Sequence, residues 1–253
     1  MSNSIPSLTP LTPRGKQLRR DLYWLSKSNG GYHYGGTFST IEILYNLYDH
    51  VLKPDDRFIL SKGHACWGYY VLLREKGLNP ALEGHPHLDL ANGVHWTTGS
   101  EGHGMPAGVG MAFAKKKMGK PGRVYVLIGD GEAQEGTTWE SLLLASKHGL
   151  DNLTVIMDNN RIQGSGFTHE VLGEMGSTLF ATAEACGWNV RTMNGHSDED
   201  ILRVVNKPSK TVPTFIVAFT VKGKGVSFME DKPEWHSKWP NPEEEAQIMK
   251  ELA

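Results

Sequence analysis

Apolar and polar positions along this chain follow two periods, and the switch between them recurs from one end to the other. Thr12 and Pro13 read as an N-cap and first helical residue, opening a helix that runs to about Lys27 and ends at Asn29-Gly30-Gly31. Ser39 to about His50 is apolar at Ile41, Leu44, Tyr45 and Tyr48, a helical spacing. Arg57 to Leu60 is a short extended piece that stops at Ser61-Lys62-Gly63-His64, and Ala65 to Lys76 is a helix closed by Gly77. Met105 to Met118 reads as a helix whose small residues Ala107, Gly108, Gly110 and Ala112 allow close packing. Val124 to Ile128 and Thr154 to Met157 are compact apolar strands, with a helix from Gly136 to Leu150 between them. Trp188 to Arg191 and Pro213 to Phe219 are later strands, and Ser197-Asp198-Glu199-Asp200 opens a helix in the manner of a capping box. Glu83 to His103 has no period and is rich in Gly and His; a stretch of that length in a compact domain is functional or hides an element.

Strands alternating with helices predict an α/β fold, a mostly parallel sheet with helices on both faces. Residues 1–13 read as an N-terminal tail and 14–222 as the α/β domain. Gly223 to Ala253, rich in Trp, Pro and charge, reads as a tail packed on the surface of that domain. No internal repeat, coiled coil or low-complexity run interrupts this order.

Composition removes several classes of function. The 253 residues can bury a substantial core. A formal net charge of −2 argues against nucleic acid as a partner. Cys66 and Cys186 give neither a disulfide framework nor a zinc spacing and read as small buried hydrophobes. No stretch approaches the roughly 18 consecutive apolar residues that span a membrane. Met1 to Pro13 lacks the apolar centre of a signal peptide, so no membrane partner and a reducing cytoplasm are expected.

The chemistry gathers at two strand ends. Val124 to Ile128 leads into Gly129-Asp130-Gly131-Glu132, and Thr154 to Met157 into Asp158-Asn159-Asn160-Arg161-Ile162. Strand, helix and strand make a βαβ crossover, and ligands of open parallel sheets sit at the carboxyl edge of the strands. Hard oxygen donors on neighbouring strand ends suit Mg²⁺, which takes carboxylate and carbonyl oxygens together with a ligand's phosphates. The glycines around Asp130 let backbone approach a phosphate group. Taken singly, each block has a plainer reading, a Gly-Asp-Gly β-turn and an unrelated Asn-Asn turn. Asn160 thirty residues after Asp130, each on a strand end, is far more specific than either. That spacing resembles the thiamine-diphosphate signature, which implies that Asp130 and Asn160 hold Mg²⁺ through side-chain oxygens and Ile162 through its backbone carbonyl. The block Gly129, Asp130, Gly131 and Glu132 would then lie against the cofactor.

Four histidine motifs lie in loops: Tyr32-His33-Tyr34-Gly35-Gly36, Ser61-Lys62-Gly63-His64, Gly84-His85-Pro86 and Trp235-His236. A lone loop histidine is usually a polar surface group, but each of these is flanked by Gly, Pro or Trp. In this order around the Gly-Asp-Gly block, they make the chain resemble transketolases, and more narrowly the N-terminal subunit of split, two-chain transketolases. The likeness runs from about Arg14 to His236. It includes His33 to Ser39 (family pattern GHxGGSxS), Asp56 to His64, and Lys222 to Glu230 ahead of Trp235-His236.

The resemblance implies a thiamine-diphosphate-binding fold and transfer of a two-carbon ketol unit from a ketose to an aldehyde, both sugars. It implies that His64 and His236 contact the diphosphate and the reacting centre, and that His33 and His85 bind sugar hydroxyls. Gly99, Ser100, Glu101 and Gly102 would pass along the aminopyrimidine ring. Glu135 and Glu140 match acidic residues linking paired sites across a subunit interface. Imidazoles with pKa near neutrality can relay protons between hydroxyls and carbonyl oxygens, and the thiazolium supplies the carbanion chemistry. The family places the glutamate that activates the cofactor in a following pyrimidine-binding domain. A separate C-terminal transketolase subunit, joined in an α2β2 assembly, is therefore expected. Two departures stand out: Glu101 and His103 where GSLGQG or GPLGQG is usual, and Ser237 where Gly often follows Trp-His.

The α subunit of a thiamine-dependent 2-oxo acid dehydrogenase would share the Asp130 and Asn160 blocks but not the histidine sets. A non-catalytic cofactor-binding partner would have no need of intact metal donors and histidines together. A nicotinamide site is disfavoured because no G-x-G-x-x-G opens a helix after an early strand.

Overall fold

The computed structural model describes residues 6–253. Residues 1–5, part of the expected N-terminal tail, lie outside the described residues. Five strands, β1 (Arg57–Leu60), β2 (Val124–Gly129), β3 (Leu153–Asn159), β6 (Asn189–Asn194) and β7 (Thr214–Phe219), form one sheet in the order β1-β2-β3-β7-β6. Every pairing in it is parallel. A two-stranded antiparallel ribbon, β4 (Ile162–Gln163) with β5 (Gly166–Phe167), projects beyond β3. The helices are α1 (Pro13–Ser28), α2 (Tyr34–Phe38), α3 (Ile41–Asn46), α4 (Cys66–Glu75), α5 (Gly104–Lys117), α6 (Gly136–Lys147), α7 (Thr168–Val171), α8 (Met175–Ala185), α9 (Asp198–Val205) and α10 (Pro242–Glu251).

The apolar strand runs are continuous because both faces of the sheet are covered. Along β2, Tyr125 and Leu127 join one core while Val124, Val126 and Ile128 join the other, as the two-residue period of a strand requires. The first core packs α1 to α4 and α9 against the sheet through Leu22, Phe38, Leu44, Trp67 and Ile201. The second packs α5, α6 and α8 through Met105, Val109, Leu142 and Leu179. Close approach of α5 depends on Gly108, where a Cβ would meet Val126 Cγ2 at 2.3 Å. Parallel pairing places all five carboxyl ends on one edge, and the register sets Gly129 opposite Asp158.

Several elements differ from the expectation set by periodicity. The expected helix from Ser39 to His50 begins earlier, as α2, is interrupted at Ser39–Thr40, and closes with a π turn over Leu47–Val51. The motif containing His33 is therefore a helix start, not a loop, with His33 at φ 67° ahead of α2. Gly35 and Gly36 are poor helix formers but are needed there: a Cβ on Gly35 would lie 2.6 Å from the Trp235 carbonyl oxygen. Helix α8 and the β4–β5 ribbon are additional elements that periodicity does not indicate. At α9 the Ser197 side chain accepts from the Asp200 amide, but Asp200 turns its carboxylate to the Asn194 amide, so the box is half-formed. The reciprocal box is at α10, between Asn241 and Glu244. The C-terminal segment goes deeper than a surface wrap, because Met229, Trp235, Ile248 and Leu252 are buried in the first core. Among the described residues no helix is long and apolar enough to cross a membrane.

Candidate active site

A narrow cavity opens at the carboxyl edge between β2 and β3. It is lined by Lys62, His64, Glu101, Asp130, Asn160, Ile162, Lys222 and His236, together with Gly129, Gly131 and the β4 turn. A larger cleft of about 590 Å³ lies behind Asn159, lined by Arg161, Glu174, Asp231 and mainly apolar or small side chains.

Backbone amides fix the oxygen donors. Asp130 Oδ1 accepts from the Gly131 amide at 2.8 Å, and Oδ2 accepts from Arg161, whose backbone is left-handed at φ 66°. Asn160 Oδ1 accepts from the Ile162 amide at 3.0 Å, and its Nδ2 donates to Asp158 Oδ2 at 3.0 Å, which fixes how the amide is turned. The Ile162 carbonyl faces Lys222 Nζ at 3.0 Å. One carboxylate, one amide and one carbonyl are hard oxygens of the kind a divalent cation takes when phosphates complete its shell. Among the described residues no three His, Cys, Asp or Glu side chains cluster as metal ligands. Gly131 lies so close to Gln163 that a Cβ would meet it at 2.6 Å, while at Gly129 a Cβ would find no atom nearer than 3.7 Å.

Two lysines, to which the motifs alone assign no role, supply the positive field. Lys62 Nζ pairs with Asp158 and donates to the Gly36 carbonyl at 3.1 Å. Burial alone would raise Asp158, but the Lys62 charge and hydrogen bonds from Lys62, Ser39 and Thr220 hold it below the usual carboxylate range. Among the described residues Lys222 is buried without a carboxylate partner of its own; its Nζ is 2.9 Å from His236 Nδ1. Burial and the nearby Lys62 charge lower it, while burial and Asp158 raise Asp130. Two buried lysines, only one of them paired with an acid, suit a polyanionic ligand whose charge would hold Lys222 protonated. Lysine is rarely buried, so nothing but its place just after a strand end distinguishes Lys62 in the sequence.

The histidines converge from separate parts of the chain. Ring centroids of His33, His64 and His236 lie 5.5, 5.4 and 5.2 Å apart in the pairs 33–64, 33–236 and 64–236. Burial lowers all three, taking His236 to about 3 with the help of Lys222. Neutral imidazoles of this kind can accept or relay a proton. His85 lies against Gly99, where a Cβ would meet its ring at 3.1 Å. Ser100 is exposed on the same loop. Glu132 sits behind the cavity wall: it accepts from Ser61, from the Gly102 amide at 2.9 Å and from the Gly129 amide at 3.1 Å, tying three loops together. Burial raises it to about 7 despite those donors. Of the two departures in the loop, Glu101 enters the cavity with Oε1 3.4 Å from His64 Nδ1, whereas His103 is exposed at the start of α5. Glu140 is exposed on α6, Glu135 is exposed just before it with its stem packed against Gly102 of the loop that carries Glu101, and Ser237 is exposed after Trp235-His236.

The family described as transketolase, thiamine diphosphate binding domain, matches residues 24–252. The chain is 38% identical to a subunit of apulose-4-phosphate transketolase from Actinobacillus succinogenes, with 97% of each covered. It is 35% identical to the 6-deoxy-6-sulfo-D-fructose transketolase subunit SqwG of a Clostridium species, covering 81% of this chain and 82% of that one. Human transketolase is 34% identical over 97% of this chain and 42% of its own length. Among solved structures, transketolase from Leishmania mexicana superposes with a TM-score of 0.86 at 26% identity, covering 94% of this chain and 40% of that one. Transketolase from Campylobacter jejuni gives a TM-score of 0.82 at 27% identity, covering 95% of this chain and 42% of that one. The chain thus spans about two fifths of the solved transketolases it matches.

Proposed function

The chain belongs to the transketolase family through its thiamine-diphosphate-binding domain, and from that premise we propose that it is the cofactor-holding N-terminal subunit of a two-chain transketolase. The reaction is transfer of a two-carbon ketol unit from a ketose to an aldehyde. The observation that carries this reading is the cavity in which Asp130, Asn160 and Ile162 lie with Lys62, Lys222, His64 and His236, with His33 against the last two. In it, Asp130, Asn160 and Ile162 would hold Mg²⁺, and Lys62 and Lys222 would neutralise the diphosphate. The cofactor, when bound, supplies the thiazolium that stabilises a carbanion. The chain's own part is to fix the diphosphate end, exclude water, set His64 and His236 against the diphosphate and the reacting centre, and offer His33 and His85 to substrate hydroxyls.

Relatives named as transketolase subunits, matched along nearly their whole length, support a partner chain that brings the pyrimidine-binding domain. An α2β2 assembly with Glu135 and Glu140 at the contact between copies agrees with their exposure beside the outer face of α6. The substrates in this reading are sugars with an anionic end group. Relatives named for apulose-4-phosphate and for 6-deoxy-6-sulfo-D-fructose support that choice, as does the cationic cavity. The test is thermal unfolding with added ligands. Thiamine diphosphate with Mg²⁺ is expected to raise the melting temperature, by about 2.7 kcal/mol of stabilisation at a hundredfold excess over Kd, and NAD to leave it unchanged. A shift with NAD and none with thiamine diphosphate would reject the assignment.

A further inference from the structure

The three histidine rings that meet over the cavity do not share one hydrogen-bonding pattern. His33 Nδ1 lies 2.6 Å from the carbonyl oxygen of His236; a carbonyl only accepts, so Nδ1 carries the proton and Nε2 keeps the lone pair. His236 faces a different group: its Nδ1 lies 2.9 Å from Lys222 Nζ, and where that nitrogen donates, the ring proton is left on Nε2. For His64, the one group among the described residues poised to choose between its nitrogens is Glu101, with Oε1 3.4 Å from Nδ1.

Among the described residues, Glu101 is also the only negative charge free to act on that ring. The other charged or titratable groups facing His64 are Lys62 on its own loop, Lys222 and His236 from the C-terminal segment, His33 ahead of α2 and His85 from the long loop. Asp130 is oriented away by backbone amides on both oxygens, Asp158 is paired with Lys62, and Glu132 is held by Ser61, Gly102 and Gly129. The Glu101 side chain is 42% exposed, so a small rotation of its stem brings the carboxylate into full hydrogen-bond range. Its position is one where the related loop motif usually has an apolar residue.

We propose that Glu101 is the positioning residue of His64: its carboxylate holds the ring's Nδ1 proton, so that Nε2 is the nitrogen His64 presents to ligands. The hydrogen bond made by one imidazole nitrogen decides the state of the other, which is how a carboxylate orients a functional histidine. Nε2 lies on the side of Gly36 and Lys62; a Cβ on Gly36 would be 3.0 Å from Nε2 and 3.7 Å from Lys62 Nζ. The inference deepens, and rests on, the reading of this cavity as the cofactor site, yet its test reads the ring itself.

That test is a long-range ¹H–¹⁵N correlation spectrum of the chain with ¹⁵N-labelled histidine, His64 being assigned by the signals lost in His64→Gln. A pyrrole-type Nδ1 is expected for His64 at neutral pH. Glu101→Leu is expected to release that proton, moving Nδ1 toward the pyridine type, whereas Glu101→Gln, whose amide oxygen still accepts, keeps it. His33 and His236 retain their own patterns in every variant and so control for general disturbance. A pyridine-type Nδ1 in the unmodified chain, or an unchanged His64 in Glu101→Leu, overturns the proposal. Calorimetry with thiamine diphosphate and Mg²⁺ on the same samples keeps the two readings apart: no cofactor binding with the ring pattern intact rejects the cofactor assignment alone.

Discussion

Asp130 is fixed in the cavity by two backbone amides, from Gly131 and Arg161, that hold its two carboxylate oxygens. The hydrogen bonds use one lone pair on each oxygen and leave the other directed elsewhere, which is how a carboxylate can be pre-oriented for a cation without being consumed. Asp130→Ala removes the only carboxylate of the three donors. It is expected to weaken Mg²⁺-dependent binding of thiamine diphosphate by roughly 100-fold or more while leaving the fold intact, given the 10- to 100-fold that even outer-shell partners of a metal site contribute. Isothermal calorimetry with and without Mg²⁺ measures this, and an unchanged affinity would remove Asp130 from the metal site. At this scale the sequence is informative where a residue's type is itself the signal. Asp130, Asn160 and the histidines stand out as polar groups at strand ends and turns. Lys62, Lys222 and Asp158 do not, because their importance comes from burial beside one another. Lysine and aspartate in a loop look like solvated surface until the fold encloses them.

Elements are held around the cavity by a second buried charge group in the first core. Arg19 on α1 pairs with Glu42 on α3 at 2.6 Å, and His196, after β6, reaches the same carboxylate at 2.9 Å. Arg19 also donates to the carbonyls of Phe38 and Lys224, so one guanidinium ties α1, α2, α3 and the segment leading to His236. Burial alone would raise Glu42, but the Arg19 charge and hydrogen bonds from Arg19 and His196 win and bring it down to about 2. A carboxylate depressed in the folded state contributes stability that is complete above its unfolded value and is lost as pH falls through the folded one. Glu42 should therefore contribute about 3 kcal/mol at neutral pH that fades between roughly pH 4.5 and pH 2. Urea unfolding across that range is expected to show the loss in the unmodified chain. Glu42→Gln should already be destabilised by about 3–5 kcal/mol at pH 7, by stranding Arg19, and should show a correspondingly flatter acid limb. An identical acid limb in both would rule out the group as the source. None of this triad is visible in periodicity, and the elements it joins are also the harder ones to read. Strands β1, β2, β3 and β7 are legible because burial on both faces writes an unbroken apolar run. Helix α2 is hidden by Gly35 and Gly36, which serve the close contacts with Trp235 and His64 at a cost in helix propensity. Helix α8 carries Met175, Leu179 and Ala183 at a helical spacing, but the glycines at 164, 166 and 173 before it read as continuing loop.

For the whole molecule, the decisive feature is which groups the cavity lacks once its own are accounted for. Thiamine chemistry in this family needs a carboxylate on the aminopyrimidine nitrogen to form the reactive carbanion. Among the described residues, the acids at or behind the cavity wall are Asp130 on backbone amides, Glu132 on three loops, Asp158 paired with Lys62, and Glu101 beside His64. A second surface is also unsatisfied, since Leu143 and Leu144 of α6 are 63% and 53% exposed on the helix that carries Glu140. Isolated apolar side chains on a surface are ordinary, but a pair beside acidic residues on a helix next to the cofactor edge suits a subunit contact. In the proposed two-chain reading, where the partner brings the activating carboxylate, this chain is expected to bind cofactor without turning it over. The expected outcome is no measurable ketol transfer by this chain alone with ketose, aldehyde, Mg²⁺ and thiamine diphosphate. Adding a C-terminal transketolase subunit should restore turnover, with light scattering reporting two copies of each chain. Replacing both Leu143 and Leu144 with Lys should weaken assembly while sparing cofactor binding, because neither touches the cavity. Full turnover by the pure chain would mean that the carboxylate lies within it and would end the two-chain reading. Restored turnover with undiminished assembly of the Leu143/Leu144 variant would instead move the subunit contact to another face.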